Sequence, residues 1–258
     1  MTPSTHPEGA HPPRVELVDP GPGRVYTSRR RVRLSDVDPS GRLRLDAVAR
    51  YLQDVAADDV RDAGVEDAVV WVVRRTTVLA PTRPVYGEEV ALATWCSGTG
   101  AAWAERRTTI RGDRGSNIET VALWVSLDRA GKRPVPLTGS FFAPYRQAAG
   151  ARKVRPGLRL PSPPGSADRR RPWPLRRSDL DVLGHVNNAV AWTAAEDEAL
   201  QIAPGASFVW GEVEYRQPIE AGDTPTVTAR RDADVVWVWL LDAEGSATTT
   251  ARLGTAGP

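Results

Sequence analysis

Cysteine occurs once in this chain of 258 residues, as Cys96, so neither an intramolecular disulfide nor a zinc site of several cysteines can form. Histidine is almost as scarce. Of three, His6 and His11 lie near the start, which leaves His185 as the one imidazole in the body of the chain. Lysine is confined to Lys132 and Lys153; arginine carries the remaining positive charge, a codon bias more than a chemical demand. No apolar run approaches the ~18–20 residues of a membrane helix. Residues 1–23 lack the basic start and apolar stretch of a secretory signal. With 34 basic against 32 acidic side chains the net charge is +2, too balanced for a nucleic-acid surface. These shortages lead us to expect a cytoplasmic protein in a reducing compartment, with no metal, no cofactor and no membrane insertion.

What the chain does have is a globular composition, 41 % hydrophobic and 26 % charged, and an internal repeat. Residues 35–41 read Ser-Asp-Val-Asp-Pro-Ser-Gly and residues 178–184 read Ser-Asp-Leu-Asp-Val-Leu-Gly, an offset of 143 (178 − 35). Pro84 and Gly87-Glu88 are answered by Pro218 and Gly222-Asp223, and Asp113, Gly115 and Ser116 by Asp242, Gly245 and Ser246. A duplication in this order predicts a disordered tail over 1–24, a first domain over 25–150, a Pro-rich linker over 151–170 and a second domain over 171–258. Each copy reads as a short strand entering the Asp-x-Asp turn, then a helix, then several strands. Leu45, Val48, Leu52, Val55, Ala56 and Val60 form a stripe at helical spacing. Runs rich in Val, Thr and Trp predict strands over 71–79, 89–95, 103–110 and 118–127, and over 208–216, 226–230, 235–241 and 247–253. Helix against antiparallel sheet, twice, is an α+β architecture, and the two sheets would gain by pairing as a pseudo-dimer.

The string Arg177-Ser-Asp-Leu-Asp-Val-Leu-Gly-His-Val-Asn-Asn188 resembles the signature of hotdog-fold thioesterases, above all the fatty acyl-ACP (acyl carrier protein) thioesterases of plants and bacteria. In the first half Trp71-Val-Val-Arg-Arg, Gly87-Glu88 and Thr94-Trp95-Cys96-Ser97 are similar to strings of the same family. The resemblance covers roughly residues 25 to 253. It implies two fused hotdog domains, the first on the acyl-chain side and the second catalytic, and hydrolysis of fatty acyl-ACP in fatty acid biosynthesis, with acyl carrier protein as the partner. A homodimer is a further expectation.

The residues carry a chemistry of their own. Thioester hydrolysis needs a base or nucleophile at the acyl carbon and a donor for the oxygen that becomes negative. The Asp181 carboxylate can activate water or attack directly. Gly184 allows close backbone approach, and a helix beginning near Asn187 or Asn188 offers unpaired N–H groups at its positive end. His185, with a pKa near neutrality, can hold the carboxylate or carry a proton. Asp179, Asp181 and both asparagines also suit turn and cap roles. Capping is the expectation for Asp179 and catalysis for Asp181. In the first copy Asp38 and Gly41 persist, while Arg42 and Leu45 replace the histidine and an asparagine, which predicts a vestigial site. Trp192 is a candidate for the wall of an acyl tunnel. Cys96, with no histidine partner, reads as packing.

Two positions depart from the family pattern. Leu183 stands where it has an asparagine, and Pro218 where it has a carboxylate after a Tyr-Arg pair. Glu220 is near but out of register, and Glu196, Asp197 or Glu198 could supply a second carboxylate. Arg169, Arg170 and Arg171 lie in an arginine-rich stretch that suits an acidic carrier protein as well as a solvated linker. Two alternatives follow: an acyl-CoA thioesterase of the same fold, or a non-catalytic acyl-thioester-binding protein.

Overall fold

The structure, a computed structural model, describes residues 12–13, 15–16, 18–65, 69–130, 133–163 and 170–255. Contacts divide the chain into two units, one running Glu16–Arg159 and the other from Leu160 onward.

In the first unit, strand β1 (Tyr26–Arg31) alternates half-buried and exposed side chains, the pattern of a strand with one wet face. It passes through a 3₁₀ turn at Leu34–Asp36 into helix α1 (Leu45–Asp62). Strands β2 (Val70–Thr82), β3 (Glu89–Thr99), β4 (Trp103–Gly112) and β5 (Asn117–Leu127) follow. The antiparallel order is β1-β3-β4-β5-β2. Helix α1 lies against β1 and β3. Leu45, Val48, Leu52, Val55 and Ala56 of the expected stripe are buried. Each large apolar side chain so buried contributes ~1.5–3 kcal/mol, so tertiary burial stabilises this helix more than intrinsic propensity does. The β4–β5 hairpin closes on Gly115 at φ +88°, and buried Glu88 ties it to the turn before β3 by accepting from Ser116 Oγ (2.7 Å) and Val85 N–H (2.9 Å).

Helix α2 (Gly139–Ala149) escapes the sequence reading because Pro144 stands inside it, a residue that lacks the N–H for the helical ladder. Its signals were nonetheless present. Thr138 caps it by accepting from the Phe141 N–H, Gly150 ends it at φ +56°, and Phe141, Tyr145, Ala148 and Ala149 are buried at helical spacing. Helix α2 packs on β3 and carries its aromatic face toward Trp71, with ring centroids 5.4 Å apart for Trp71–Phe141 and 5.0 Å for Phe141–Tyr145.

The second unit repeats the plan. A two-residue strand β6 (Arg171–Pro172) and a 3₁₀ turn at Arg177–Asp179 lead to helix α3 (Asn188–Ile202). Strands β7 (Phe208–Tyr215), β8 (Thr226–Asp232), β9 (Val235–Leu241) and β10 (Ala247–Thr255) follow, antiparallel in the order β7-β10-β9-β8-β6. Helix α3 buries mostly alanine, which lets it lie close across the sheet, and one large ring, Trp192. That ring needs the hollow at Gly211, where an added Cβ would stand 2.8 Å from it. Helix on antiparallel sheet in each unit is the hotdog arrangement, and the fold is α+β as expected.

The expected tail and linker look different in detail. Most of the tail lies outside the described residues, but its last part is anchored. Arg24 donates to Asp59 Oδ1 (2.8 Å) and to Asp62 (2.5 Å), and Gly23 packs on the Ala148 backbone so tightly that a Cβ would reach 2.1 Å. Residues 151–159 belong to the first unit. The Lys153 backbone bridges to Thr99, Val154 C=O accepts from Trp103 Nε1 (2.9 Å) and Gly157 C=O from Arg75 (2.9 Å). Leu160 and Pro161 are held in the second unit by Glu214, Arg216 and Trp239. Residues 164–169 lie outside the described residues.

Candidate active site

Asp181 sits in the loop that feeds α3. Its N–H donates to the His185 C=O (2.8 Å), and the Gly184 N–H donates back to the Asp181 C=O (3.0 Å). Oδ1 accepts from the N–H groups of Leu183 (2.8 Å) and His185 (3.3 Å). Gly184 stands at φ +79° in open space, so backbone conformation rather than crowding requires glycine there. The second oxygen, Oδ2, has no hydrogen-bonding or ionic partner among the described residues.

The helix start adjoins this loop. Asn187 N–H donates to the Asp179 C=O (2.8 Å), while Asn187 Oδ1 caps α3 by accepting from Ala189 N–H (2.9 Å). The Asn188 N–H has no partner among the described residues and points out of the positive end of α3. Asn188 is itself pinned: its C=O accepts from Tyr215 Oη (3.1 Å), which accepts in turn from Trp192 Nε1 (3.0 Å). Trp192 therefore has no exposed surface and acts as the post behind the helix start. His185 pairs through its backbone with Glu220 in a β-bridge. Opposed residues of such a pair carry their side chains on one face, with Cβ atoms ~4.5–5.5 Å apart, so the exposed Glu220 carboxylate belongs to the surroundings of the imidazole. Tyr215 and Glu220 are the two residues that sequence spacing underrated, and strand pairing is what brings them in.

The first unit builds the same loop around Asp38. Oδ1 accepts from Ser40 N–H (2.8 Å), Ser40 Oγ (2.5 Å) and Arg42 N–H (3.1 Å), and Gly41 stands at φ +78°. Carboxylate-to-backbone bonding at Oδ1 is thus the turn former of the fold, present with or without the His and Asn pair. The difference lies elsewhere. Asp38 Oδ2 faces Arg83 at 4.0 Å. Burial pushes the Asp38 carboxyl up, but the bonds from Ser40 and Arg42 and the charge of Arg83 hold it below its ordinary value. Matching hydrogen bonds fix the correspondence: Leu43 N–H to Pro84 C=O answers Val186 N–H to Ile219 C=O, and Glu88 N–H to Val85 C=O answers Asp223 N–H to Glu220 C=O. Ile219, not Pro218, therefore answers Pro84, one residue off the match that the prolines suggested in sequence; Pro218 occupies the place of Arg83, and Leu45, fully buried, the place of Asn188. Among the described residues, the second copy alone combines an unpaired carboxylate oxygen, an imidazole and an unpaired helix N–H.

Other candidates are placed differently. Asp179 is buried and its Oδ2 accepts from Arg176 N–H (2.8 Å), a capping role. Glu198 forms an ion pair with Arg171; burial raises its carboxyl and Arg171 offsets part of that. Arg171 is accordingly no free docking charge. Arg170 is exposed over the Gly245 turn, and Arg169 lies outside the described residues. Cys96 is buried, and burial pushes its thiol up to about 11, which suits packing. A cavity of about 320 Å³ opens in the first unit under α1 and α2, lined by Ala56, Val60, Trp71, Ala104, Phe141 and Tyr145 among others.

Against known proteins, the model of the acyl-ACP thioesterase N-terminal domain matches residues 23–145. An uncharacterized protein of Mycobacterium tuberculosis is 31 % identical over 220 residues, covering 84 % of this chain and 87 % of that one. The chain belongs to the acyl-ACP thioesterase family. This makes it a thioester hydrolase by family. Solved structures agree in fold: an acyl-ACP thioesterase from Bacteroides thetaiotaomicron (TM-score 0.77, 17 % identity, covering 89 % of this chain and 97 % of that one) and a 12:0-ACP thioesterase from Umbellularia californica (TM-score 0.73, 20 % identity, 93 % and 98 %).

Within the acyl-ACP thioesterase family, the leucine at position 183 is a departure whose consequence the structure makes testable. Leu183 is 49 % exposed and contributes its backbone, not its side chain, to the loop. Leu183→Asn should therefore leave the melting temperature within experimental error, since no buried amide is created. The turnover rate should be equal or higher, because an amide beside Asp181 can orient water. A lower melting temperature with no gain in rate would mean that the side chain packs when substrate is bound.

Proposed function

We propose that the chain hydrolyses fatty acyl-ACP to free fatty acid and carrier at the Asp181 loop. Asp181 Oδ2 takes a proton from water as the hydroxide adds to the acyl carbon. The carbonyl oxygen becomes negative and accepts from the Asn188 N–H, a kind of donor worth ~3–4 kcal/mol in the transition state. The carbon–sulfur bond then breaks, the carboxylic acid is released, and His185 or the newly protonated Asp181 returns a proton to the pantetheine thiolate. Asn187 holds the helix start, Gly184 keeps the loop open, and Glu220 orients His185. The observation that supports this reading is that, among the described residues, Asp181 Oδ2 has no partner in the loop that feeds α3 and the first N–H of that helix has none either, whereas Asp38 Oδ2 of the other copy faces Arg83.

The acyl chain is assigned to the cavity of the first unit, and the carrier to the exposed arginines around Arg170. Acyl-ACP and acyl-pantetheine with the same chain separate the carrier question from the chemistry. Arg169→Glu with Arg170→Glu, leaving the Arg171–Glu198 pair intact, should raise KM for acyl-ACP at least fivefold. It should leave acyl-pantetheine unchanged, and the difference should shrink with added salt. Equal effects on both substrates, or none, would leave coenzyme A as the better candidate for the carrier. Binding of both thioesters without turnover would reduce the protein to an acyl-thioester-binding module.

A further inference from the structure

The start of α3 is held from behind by two side chains, and hydrogen-bond chemistry fixes which group donates. An indole nitrogen donates only. Trp192 Nε1 therefore donates to Tyr215 Oη (3.0 Å), and the single hydrogen of that hydroxyl goes to the Asn188 C=O (3.1 Å). The peptide unit joining Asn188 to Ala189 is thereby held at both ends, because its N–H donates to Asn187 Oδ1 (2.9 Å). A planar peptide tied at its oxygen and its nitrogen resists rotation, so the Asn188 backbone is set, and with it the direction of the Asn188 N–H. The brace is itself seated: Trp192 has no exposed surface and fills the hollow at Gly211, where a Cβ would stand 2.8 Å from its ring. The first unit lacks the brace. The offset of 143 puts Ala49 (192 − 143) in the place of Trp192. Counting back three residues from the matched Arg83 and Pro218 puts Ala80 in the place of Tyr215. Neither alanine has a group that could hold a carbonyl. Both copies keep the Asp-x-x-Gly turn, but the brace stands only in the copy with the asparagine pair at its helix start.

We propose that Tyr215, supported by Trp192, is a positioning residue that aims the Asn188 N–H at the oxygen that becomes negative when a thioester is attacked. The inference rests on the reading of the Asp181 loop as a thioester hydrolase site and deepens it. Tyr215 is not a catalytic residue, since its only hydrogen is spent on the Asn188 carbonyl. An oxyanion donor works by already pointing to where charge develops, and a misplacement of ~1 Å can cost about 10²-fold in rate. Such a donor stabilises the transition state more than the bound thioester. Loosening it should therefore lower kcat and leave KM in place.

Tyr215→Phe removes one oxygen atom and leaves the ring. In hydrolysis of an acyl-pantetheine the variant should lose about tenfold in kcat, with KM within about twofold of wild type; deleting an oxyanion donor outright costs more, ~10²–10³-fold, and here the N–H is still present. Two inhibitors read the same split by binding alone. The trifluoromethyl ketone of the same acyl chain, whose hydrate is tetrahedral at the carbon under attack, should bind the variant about tenfold less tightly. The thioether analogue of the acyl-pantetheine, which has no carbonyl oxygen, should bind as it does to wild type. Trp192→Phe keeps the bond from Tyr215 but removes its support. It should show the same split at smaller size, and it serves if the Tyr215 variant fails to fold. Added to Tyr215→Phe it should cost little more, because the two residues act through one brace. Unchanged kcat in the folded variants, a loss carried by KM, or equal weakening of both inhibitors overturns the proposal and leaves the hydrolase reading standing. Wild-type protein that hydrolyses no acyl thioester would sink that reading and the inference with it.

Discussion

Asp181→Asn is expected to lower kcat by about 10²–10⁴-fold, the range of a positioned general base, while the melting temperature stays within a few degrees of wild type. The structure explains why the two effects separate. Oδ1 forms the loop by accepting from Leu183 and His185, and an asparagine side-chain oxygen accepts those bonds equally well. What the substitution removes is the ability of the other oxygen to take a proton or attack carbon. Asp38→Asn is the control. Asp38 forms the same loop with the same backbone bonds, but its other oxygen faces Arg83, so activity should stay within twofold of wild type. Single-turnover hydrolysis of a pantetheine thioester, with thermal melts of both variants, checks the pair. Residual activity within tenfold of wild type for Asp181→Asn would remove Asp181 from the reaction, and a crippled Asp38 variant would move the site to the first unit.

The duplication was legible because it rests on residues whose spacing is rigid. The Asp-x-x-Gly turn needs a carboxylate and a left-handed glycine at a fixed interval, so it survives in both copies as sequence. The strands were legible where, as in β9, which is buried throughout, they read as an unbroken apolar run. The α1 stripe was legible for the same reason. Helix α2 was not, since Pro144 speaks against a helix locally and only burial against β3 and Trp71 overrides it. The pairing of Glu220 with His185 was not legible because position counted from Tyr215 is blind to where the chain turns, and that pairing is a property of strand register. Trp192 reads in sequence like any aromatic on a helix; its role as the post for Tyr215 and Asn188 depends on the hollow at Gly211, some twenty residues away. The arginines of 169–171 read as one charge cluster, yet Arg171 is paired with a buried glutamate that lies a helix away in sequence. Local chemistry of the candidate site was therefore written in the string, and its supports were not.

Pro218→Arg is expected to lower kcat about ten- to a hundredfold by giving the Asp181 loop the arrangement of the Asp38 loop. Hydrogen-bond register places Pro218 where the first unit has Arg83. There the guanidinium lies 4.0 Å from Asp38 Oδ2 and adds to the larger effect of the Ser40 and Arg42 hydrogen bonds, which together hold that carboxyl below its ordinary value against burial. An arginine at 218 reaching Asp181 in the same way would contribute about 1–4 kcal/mol of attraction at the effective dielectric of a protein surface. Each pKa unit corresponds to about 1.4 kcal/mol. The carboxylate would thus become a weaker base and nucleophile, and its free oxygen would acquire a partner. The loss should appear in kcat more than in KM, since the substitution acts on the carboxylate proposed to react and not on the proposed acyl or carrier sites, and it should shrink at high salt because the pair is partly exposed. Pro218→Ala, which adds no charge, should keep most activity and so separates the cation from the loss of the proline ring. The acid limb of the pH–rate profile gives a second readout: a depressed Asp181 shifts that limb to lower pH in Pro218→Arg and leaves it in place in Pro218→Ala. If both variants lose activity alike with unshifted profiles, the unpaired oxygen of Asp181 is not what distinguishes the two copies, and the difference must be sought at Asn188 and Leu45.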